Sequence, residues 1–148
     1  MPAPELLPIK YMEDLHTAWV GRWREGQFFI AETLPVAIPS AIEPTGTDEW
    51  VYVVNYLFRD TGELREARHA KVPYSSNEGY HGLTEQITRQ FLDELGDYTL
   101  GDILVKPFAM HIDGIEFGLV YNEETELINL QPGSIISFFE PWDGEYDT

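Results

Sequence analysis

The stretch WVYVVNYLF, residues 50–58, decides the fold of this chain. Every position in it except Asn55 is apolar or aromatic. Successive side chains of a strand point to opposite faces of a sheet, so a strand that is apolar at both parities is buried on both faces. We therefore expect residues 50–58 to form a central strand in a sheet that is covered on both sides.

The neighbouring segments predict the partners of this strand. RDTGE at 59–63 has the composition of a turn, and the polar LREARHAKV at 64–72 favours an edge strand or a solvated face. Upstream, residues 16–34 hold two aromatic-rich segments separated by REG, which predicts a hairpin. Residues 35–48 and 73–82 are rich in proline, glycine and serine, which is typical of irregular loops.

The segment LTEQITRQFLDEL, residues 83–95, predicts the main helix. Gly96 follows it as a natural stop, because glycine tolerates the left-handed conformation in which helices commonly end. Its apolar residues recur at helical spacing and define the face that should pack on the sheet: Leu83, Ile87, Phe91, Leu92 and Leu95.

The rest of the chain predicts further strands. ILVKPFAMHI at 103–112 and IEFGLVYN at 115–122 flank Asp113-Gly114, a strong hairpin signal, while Pro107 indicates an edge or a bulge within its strand. ELINL, the turn QPGS and IISFF follow. We predict a single α+β domain, residues 1–148, with a mostly antiparallel sheet of six to seven strands and helix 83–95 packed on it.

The net charge of the chain limits the kinds of partner that it can bind. The 148 residues include 26 Asp and Glu against 9 Lys and Arg, for a net charge of −17. Such a surface repels nucleic acid and anionic lipid and favours a basic protein partner, and it keeps a monomer or small homo-oligomer in solution. The chain has no cysteine, no signal-peptide pattern at its start and no membrane-length apolar run, so we expect a cytoplasmic protein.

The motifs of common enzymes do not occur in this sequence. There is no HExxH, GxSxG, P-loop or GxGxxG, and Ser75 and Ser76 have no base nearby in the sequence. We therefore predict no catalytic residues, no cofactor and no metal, and lean towards a protein that is not an enzyme. The four histidines, His16, His69, His81 and His111, lie in no spaced ligand motif, and we interpret His111 as an ordinary strand-face residue and His81 in the same way.

The tail PWDGEYDT, residues 141–148, is the most unusual segment. We expect Trp142 and Tyr146 to pack on one apolar surface of the body, because Asp143-Gly144 can turn the chain back. The acidic side chains Asp143, Glu145 and Asp147 should then face outward and meet nearby arginines, with Arg22, Arg24, Arg65 and Arg68 as candidates. The alternative is a free recognition peptide whose aromatic side chains bind a partner.

Four of the nine basic residues lie close together in the sequence. They either form a solvated edge that uses charge against edge-to-edge pairing, or a local basic patch that could bind a carboxylate or an acidic tail. This candidate patch consists of Arg59, Arg65, Arg68 and Lys71.

The segments GRWREGQFF at 21–29, WVYVVNYLFRDTGEL at 50–64, FGLV at 117–120 and the closing PWDGEYDT carry a resemblance. Together they are similar to a family of small bacterial proteins that end on Pro-Trp-Asp-Gly-x-Tyr-Asp-Thr. Members of that family are often labelled formate hydrogenlyase regulatory, HycA-like, proteins. The resemblance implies regulation through protein contact and implies no catalytic residues.

Three functions are compatible with these observations. The first is a small acidic cytosolic protein that acts by protein–protein binding without catalysis, for example in regulation. The second is an immunity-type inhibitor whose acidic surface covers a basic toxin. The third is a small-molecule-binding module or enzyme with a pocket between helix 83–95 and the sheet.

Overall fold

The computed structural model describes residues 3–38, 49–74 and 79–148. Most of the loop predicted at 35–48 and part of the loop predicted at 73–82, including Ser75 and Ser76, lie outside these ranges. The described residues form thirteen strands and one helix. In chain order these are β1 Leu7–Ile9, β2 Val20–Trp23, β3 Gly26–Glu32, β4 Val36–Ala37, β5 Glu49–Phe58, β6 Leu64–Pro73, α1 Gly79–Leu95, β7 Tyr98–Leu100, β8 Ile103–Val105, β9 Phe108–Ile112, β10 Ile115–Asn122, β11 Leu127–Gln131, β12 Ser137–Phe138 and β13 Tyr146–Asp147.

Strand β5, which contains the stretch WVYVVNYLF, is the centre of a six-stranded antiparallel sheet. It pairs with β6 along one edge and with β3 and the short β4 along the other, and β2 and β7 continue the sheet beyond β3. The polar strand β6 pairs with β5 alone, so the predicted edge position is observed. The hairpin expected within residues 16–34 is formed by β2 and β3.

Both faces of β5 are buried, as its sequence predicts. Tyr52, Val54 and Tyr56 belong to a large core shared with the smaller sheets, while Val53 and Leu57 pack against the helix. The alternation of side chains therefore fills two separate cores from one strand. The sheet lies between helix α1 on one face and the remaining strands on the other.

Helix α1 begins at Gly79, four residues before the predicted start at Leu83. Gly79 and Gly82 made the first turn resemble a loop, and that turn is exposed, so no apolar pattern marks it. The predicted buried face is also wrong at its first position, because Leu83 is 47% exposed and Thr84 is buried instead. Phe91, Leu92 and Leu95 are buried as expected.

The segment 103–112 forms two strands rather than one. β8 pairs with β1 in a two-stranded sheet, whereas β9 is the edge of a five-stranded sheet in the order β13-β12-β11-β10-β9. The chain changes sheet at Lys106 and Pro107, where Lys106 N–H donates to the Gly62 carbonyl at 2.8 Å. The predicted hairpin at Asp113-Gly114 joins β9 and β10.

The predicted α+β fold with antiparallel strands is confirmed. The strands are distributed over three sheets instead of one sheet of six to seven strands. Because the small sheets cover the face of β5 opposite α1, that face contributes to the larger of the two cores. The other face forms the smaller core with the helix, and the candidate site lies beside that helix.

Candidate functional site

An open groove of about 1260 Å³ runs along one side of helix α1. One wall is a stripe of the helix, and the opposite wall is formed by two loop segments, residues 14–19 before β2 and residues 32–34 at the end of β3. Ile30 of β3 and Val53 of β5 lie between the walls. The groove extends from the helix-bearing face of the six-stranded sheet to Leu130, Ile135 and Thr148 of the five-stranded sheet and its neighbouring segments.

The helix stripe follows from the periodicity of α1. Residues three or four positions apart lie on the same side of a helix, and the groove-lining residues of α1 have this spacing. They extend over about three turns, or roughly 16 Å at 1.5 Å per residue. The stripe consists of Glu85, Thr88, Arg89, Leu92, Asp93 and the helix-terminating Gly96.

Backbone hydrogen bonds fix the loop wall before β2. Within this loop, Leu15 N–H donates to the Met12 carbonyl at 3.2 Å, and Ala18 N–H donates to the Leu15 carbonyl at 3.1 Å. The Trp19 carbonyl accepts from Ile30 N–H at 2.9 Å, which joins the loop to β3. Leu15 and Trp19 are thereby presented on a defined backbone.

Thr33 holds the second loop wall against the central strand. Its N–H donates to the Tyr52 carbonyl at 2.9 Å, and its Oγ1 accepts from Tyr52 N–H at 3.0 Å. Thr33 is buried, whereas the adjacent Leu34 is 58% exposed and lines the groove. The buried anchor therefore fixes the backbone that carries an exposed apolar side chain.

The groove collects a disproportionate share of the exposed apolar surface. Seven large hydrophobic side chains among the described residues are exposed, and four of them line this groove. Those four are Leu15, Trp19, Leu34 and Tyr98. Single exposed apolar residues are ordinary, but their concentration in one concave surface is typical of a binding site.

Charged residues surround this apolar lining. Four carboxylate side chains lie on the walls, two from the loops and two from the helix, together with His16 and Arg89. Within the described ranges, Arg89 forms no ion pair. The acidic residues are Asp14, Glu32, Glu85 and Asp93.

A second polar cluster joins the two larger sheets. Tyr52 Oη donates to Asp113 Oδ2 at 2.6 Å, and Lys71 Nζ donates to the same oxygen at 2.9 Å. These bonds lower the pKa of the Asp113 carboxyl, with Tyr52 the larger cause. Burial and the same carboxylate raise the pKa of the Tyr52 phenol. Lys71 also lies 5.0 Å from the centre of the Trp50 ring.

This cluster has a structural explanation. Asp113 occupies the tip of the β9–β10 hairpin with φ of 54°, so the turn presents its carboxylate to the face of the large sheet. Each charged or polar group in the cluster already has a partner. The cluster therefore connects one sheet to the other.

The tail at 141–148 lies against the body. Trp142 and Tyr146 are partly buried on the larger core, and β13 pairs with β12. Tyr146 Oη accepts from Thr17 N–H at 3.2 Å and bonds Thr17 Oγ1 at 2.9 Å, while Gly144 O accepts from Lys10 N–H at 3.1 Å. These contacts attach the tail to the segment that leads into the groove wall.

The carboxylates of the tail do not meet the expected arginines. Glu145 lies 3.8 Å from Lys10 Nζ, and Asp143 accepts a hydrogen bond from Glu145 N–H. Asp143, Glu145 and Asp147 are exposed, as the sequence predicts. Three of the four candidate arginines form their ion pairs elsewhere, Arg22 with Asp60, Arg65 with Glu25, and Arg68 with Glu66 and Glu94.

The structure does not assemble the predicted basic patch. Arg68 lies opposite Asn55 on the helix-bearing face and bonds Glu94 of α1 at 3.2 Å, whereas Lys71 lies on the opposite face and bonds Asp113. Arg65 pairs with Glu25 at 3.2 Å. Strand alternation therefore separates Arg68 and Lys71, although they are close in the sequence. Arg59 lies in the turn after β5, and its carbonyl accepts a hydrogen bond from Gln27 Nε2.

The other sequence candidates lie on exposed surface. All four histidines are exposed, and only His16 lines the groove. Within the described residues, no three histidine or carboxylate side chains gather as a metal-binding group. In the same part of the chain, no helix is long and apolar enough to cross a membrane.

No protein-family model, curated protein or solved structure matches this chain. Function must therefore be inferred from its own residues. The groove was missed as a set of residues because its lining comes from segments far apart in the sequence. The sequence feature that could have indicated it is the pair of apolar residues Trp19 and Leu34, which lie next to a strand and not at one of its alternating buried positions.

Proposed function

We propose that this protein binds a basic segment of another protein in the groove beside α1 and that it acts without catalysis of its own. The observation that carries the proposal is the convergence of Leu15, Trp19, Leu34 and Tyr98 on one concave surface. Aromatic and leucine side chains in such a surface provide apolar contact area for a partner.

Charge defines the chemistry of that partner. The acidic groove walls are part of a chain with a net charge of −17, so a positively charged segment is attracted at long range and a negative one is repelled. This favours a basic protein partner over nucleic acid or anionic lipid. A cytoplasmic regulator and an inhibitor of a basic toxin would both use this chemistry.

A small-molecule ligand is the weaker candidate. Pockets for small molecules usually enclose about 300–1,000 Å³ and bury most of the ligand surface. This groove has a larger volume of about 1260 Å³ and is partly open to solvent. Its size and open form favour a segment of a macromolecule.

The test replaces Leu34 with a photo-crosslinking amino acid in the cells that produce the protein. Leu83 is the matched control position, since it is 47% exposed on α1 and does not line the groove. We expect crosslinking from position 34, but not from position 83, to one basic protein. The purified pair should then bind less tightly at high salt, because the screening length shortens from about 10 Å at 0.1 M to about 3 Å at 1 M.

Crosslinking at both positions alike would contradict this function. So would a partner whose affinity is unaffected by Leu34→Glu, because that substitution places a charge in the apolar lining. A complex that is insensitive to salt would instead indicate a purely apolar interface.

A further inference from the structure

The groove lies beside α1, in the position of a neighbouring helix on the sheet. Side by side, β6, β5, β3, β2 and β7 span about 19 Å at 4.8 Å per strand. One helix is about 10 Å wide, so it covers only part of that face. Helix α1 makes most of its contacts with β5 and β6 and fewer with β3.

The side chains of β3 and β5 on this face are buried, and the exposed lining of the groove lies at the margin of the face. Tyr98 of β7 is 38% exposed there, and its ring meets Phe28 of β3 edge to face at 5.7 Å. Trp19, immediately before β2, is 36% exposed. Among the described residues, α1 is the only helix available to cover this face.

We propose that the occupant of the groove is an amphipathic, basic helix of a partner protein that lies alongside α1 and completes the helical layer. This inference rests on the proposed function and specifies the form of the bound segment. The helix stripe from Glu85 to Gly96 is about 16 Å long, which matches three turns of a second helix. Helix packing distances of 8–10 Å suit a neighbour beside such a stripe.

The apolar face of the bound helix is defined by its contacts. It packs on the exposed apolar side chains of the groove, Leu15, Trp19 and Leu34 at the loop wall and Tyr98 of β7. Apolar residues spaced three and four apart supply this face, as in other helix-in-groove complexes. An extended segment is disfavoured, because β7 at the sheet edge is only three residues long and offers little backbone for strand pairing.

The polar face of the bound helix is basic. Lysine or arginine at its margins meets Glu32 and Asp14 on the loops and Glu85 and Asp93 on α1. Arg89 lies in the middle of the helix stripe and favours a single acidic residue opposite it. A second copy of this chain is disfavoured as the occupant, since it would bring another net charge of −17.

Designed peptides of about 18 residues test the inference, since shorter isolated helices are marginal in water. The first peptide places leucine at helical spacing and lysine on the other face, and the second has the same composition with leucine and lysine alternating. A third replaces lysine by glutamate in the helical pattern. Affinity is measured by calorimetry at low salt for the native chain, Leu34→Glu and the control Leu83→Glu.

We expect the helical basic peptide to bind at least about tenfold more tightly than the other two peptides. Leu34→Glu should weaken that binding by a similar factor, and Leu83→Glu should leave it unchanged. If the alternating peptide binds as tightly as the helical one, and Leu34→Glu still weakens that binding, the helical form would be overturned and the proposed function would stand. Binding of the helical peptide that is insensitive to Leu34→Glu would overturn both.

Failure of the helical peptide to bind at millimolar concentration would also overturn the inference, while the crosslinking experiment would still test the proposed function. A dimer of the native chain that is abolished by Leu34→Glu would assign the groove to a second copy instead. Sedimentation of the same three proteins without peptide detects that outcome.

Discussion

Removal of one oxygen atom tests how the tail is attached. Tyr146→Phe keeps the ring that meets Phe138 edge to face at 5.5 Å and deletes only the hydroxyl. That hydroxyl accepts from Thr17 N–H and bonds Thr17 Oγ1, and Thr17 is fully buried. Thr17 Oγ1 keeps its 2.7 Å bond to the Lys10 carbonyl, so the main loss falls on the Thr17 N–H.

The expected cost follows from that orphaned donor. A buried polar group left without a partner costs about 1–3 kcal/mol of the free energy of unfolding. In a domain of this size, each 1 kcal/mol lowers the melting midpoint by about 3 °C. Tyr146→Phe should therefore lower the midpoint by roughly 3–9 °C, measured by circular dichroism or calorimetry.

Tyr98→Phe is the matched control. It also removes one phenol oxygen, but Tyr98 is 38% exposed and no hydrogen bond of its hydroxyl is described within the structure's residue ranges. Its midpoint should stay within about 1 °C of the native value, as for most surface substitutions. Equal midpoints for the two variants would refute the reasoning and leave the tail as a weakly attached peptide. A chain ending at Glu140 should be destabilised further, because it also loses Trp142 and the β12–β13 pairing.

Three further outcomes are expected. Asn55→Leu should raise the melting midpoint, because both polar atoms of this fully buried amide lack a partner among the described residues; a lowered midpoint would mean that the amide is satisfied, for example by a buried water. The pKa of Asp113 is lower in the folded protein than its unfolded value of 3.8, so this carboxylate stabilises the fold above pH 3.8, and that stabilisation is lost as the pH falls through the folded pKa. In acid denaturation, the free energy of unfolding of Asp113→Asn should therefore depend less on pH in this range than that of the native chain. Gel-shift assays at physiological salt should show no specific nucleic-acid binding, and sub-micromolar binding would contradict the charge argument.

The central strand could be predicted because one local rule governs it. Residues 50–58 are apolar at both alternating sets of positions, which by itself indicates burial on two faces, and the structure places one core on each side. The sheet change at Lys106-Pro107 could not be predicted in the same way. Pro107 signals an interruption of the strand, but the destination of β9 depends on β10, β11 and the rest of the small sheet.

The helix shows the same division between local and tertiary information. Phe91, Leu92 and Leu95 follow the amphipathic pattern and are buried. Leu83 fits that pattern equally well, yet it is exposed because no element of the described structure covers the first turn there. Periodicity identifies a helix face, whereas the length of that face that is covered depends on the neighbouring elements.

The candidate site is less predictable than the fold. A pocket between helix 83–95 and the sheet was one of three alternatives, and its location could be anticipated from the single helix. The lining could not, because the loops at 14–19 and 32–34 approach α1 only after β2, β3 and β5 have paired. Of the two interpretations of the basic residues in 59–71, a shared patch could not be judged from the sequence for a related reason, since strand alternation places Arg68 and Lys71 on opposite faces.

The tail and the groove share one support, and this bears on the two roles considered for PWDGEYDT. Tyr146 holds Thr17, and Thr17 lies in the loop that carries Leu15 and Trp19 to the groove wall. A docked tail therefore positions residues proposed to contact a partner without contributing its own aromatic side chains. In that case, Tyr146→Phe should weaken peptide binding, because the hydroxyl supports the loop wall through Thr17. A tail that acts as a recognition peptide would instead lose affinity only when Trp142 or Tyr146 loses its ring. Since the ring of Tyr146 is preserved in Tyr146→Phe, the two roles give opposite results in the same binding assay.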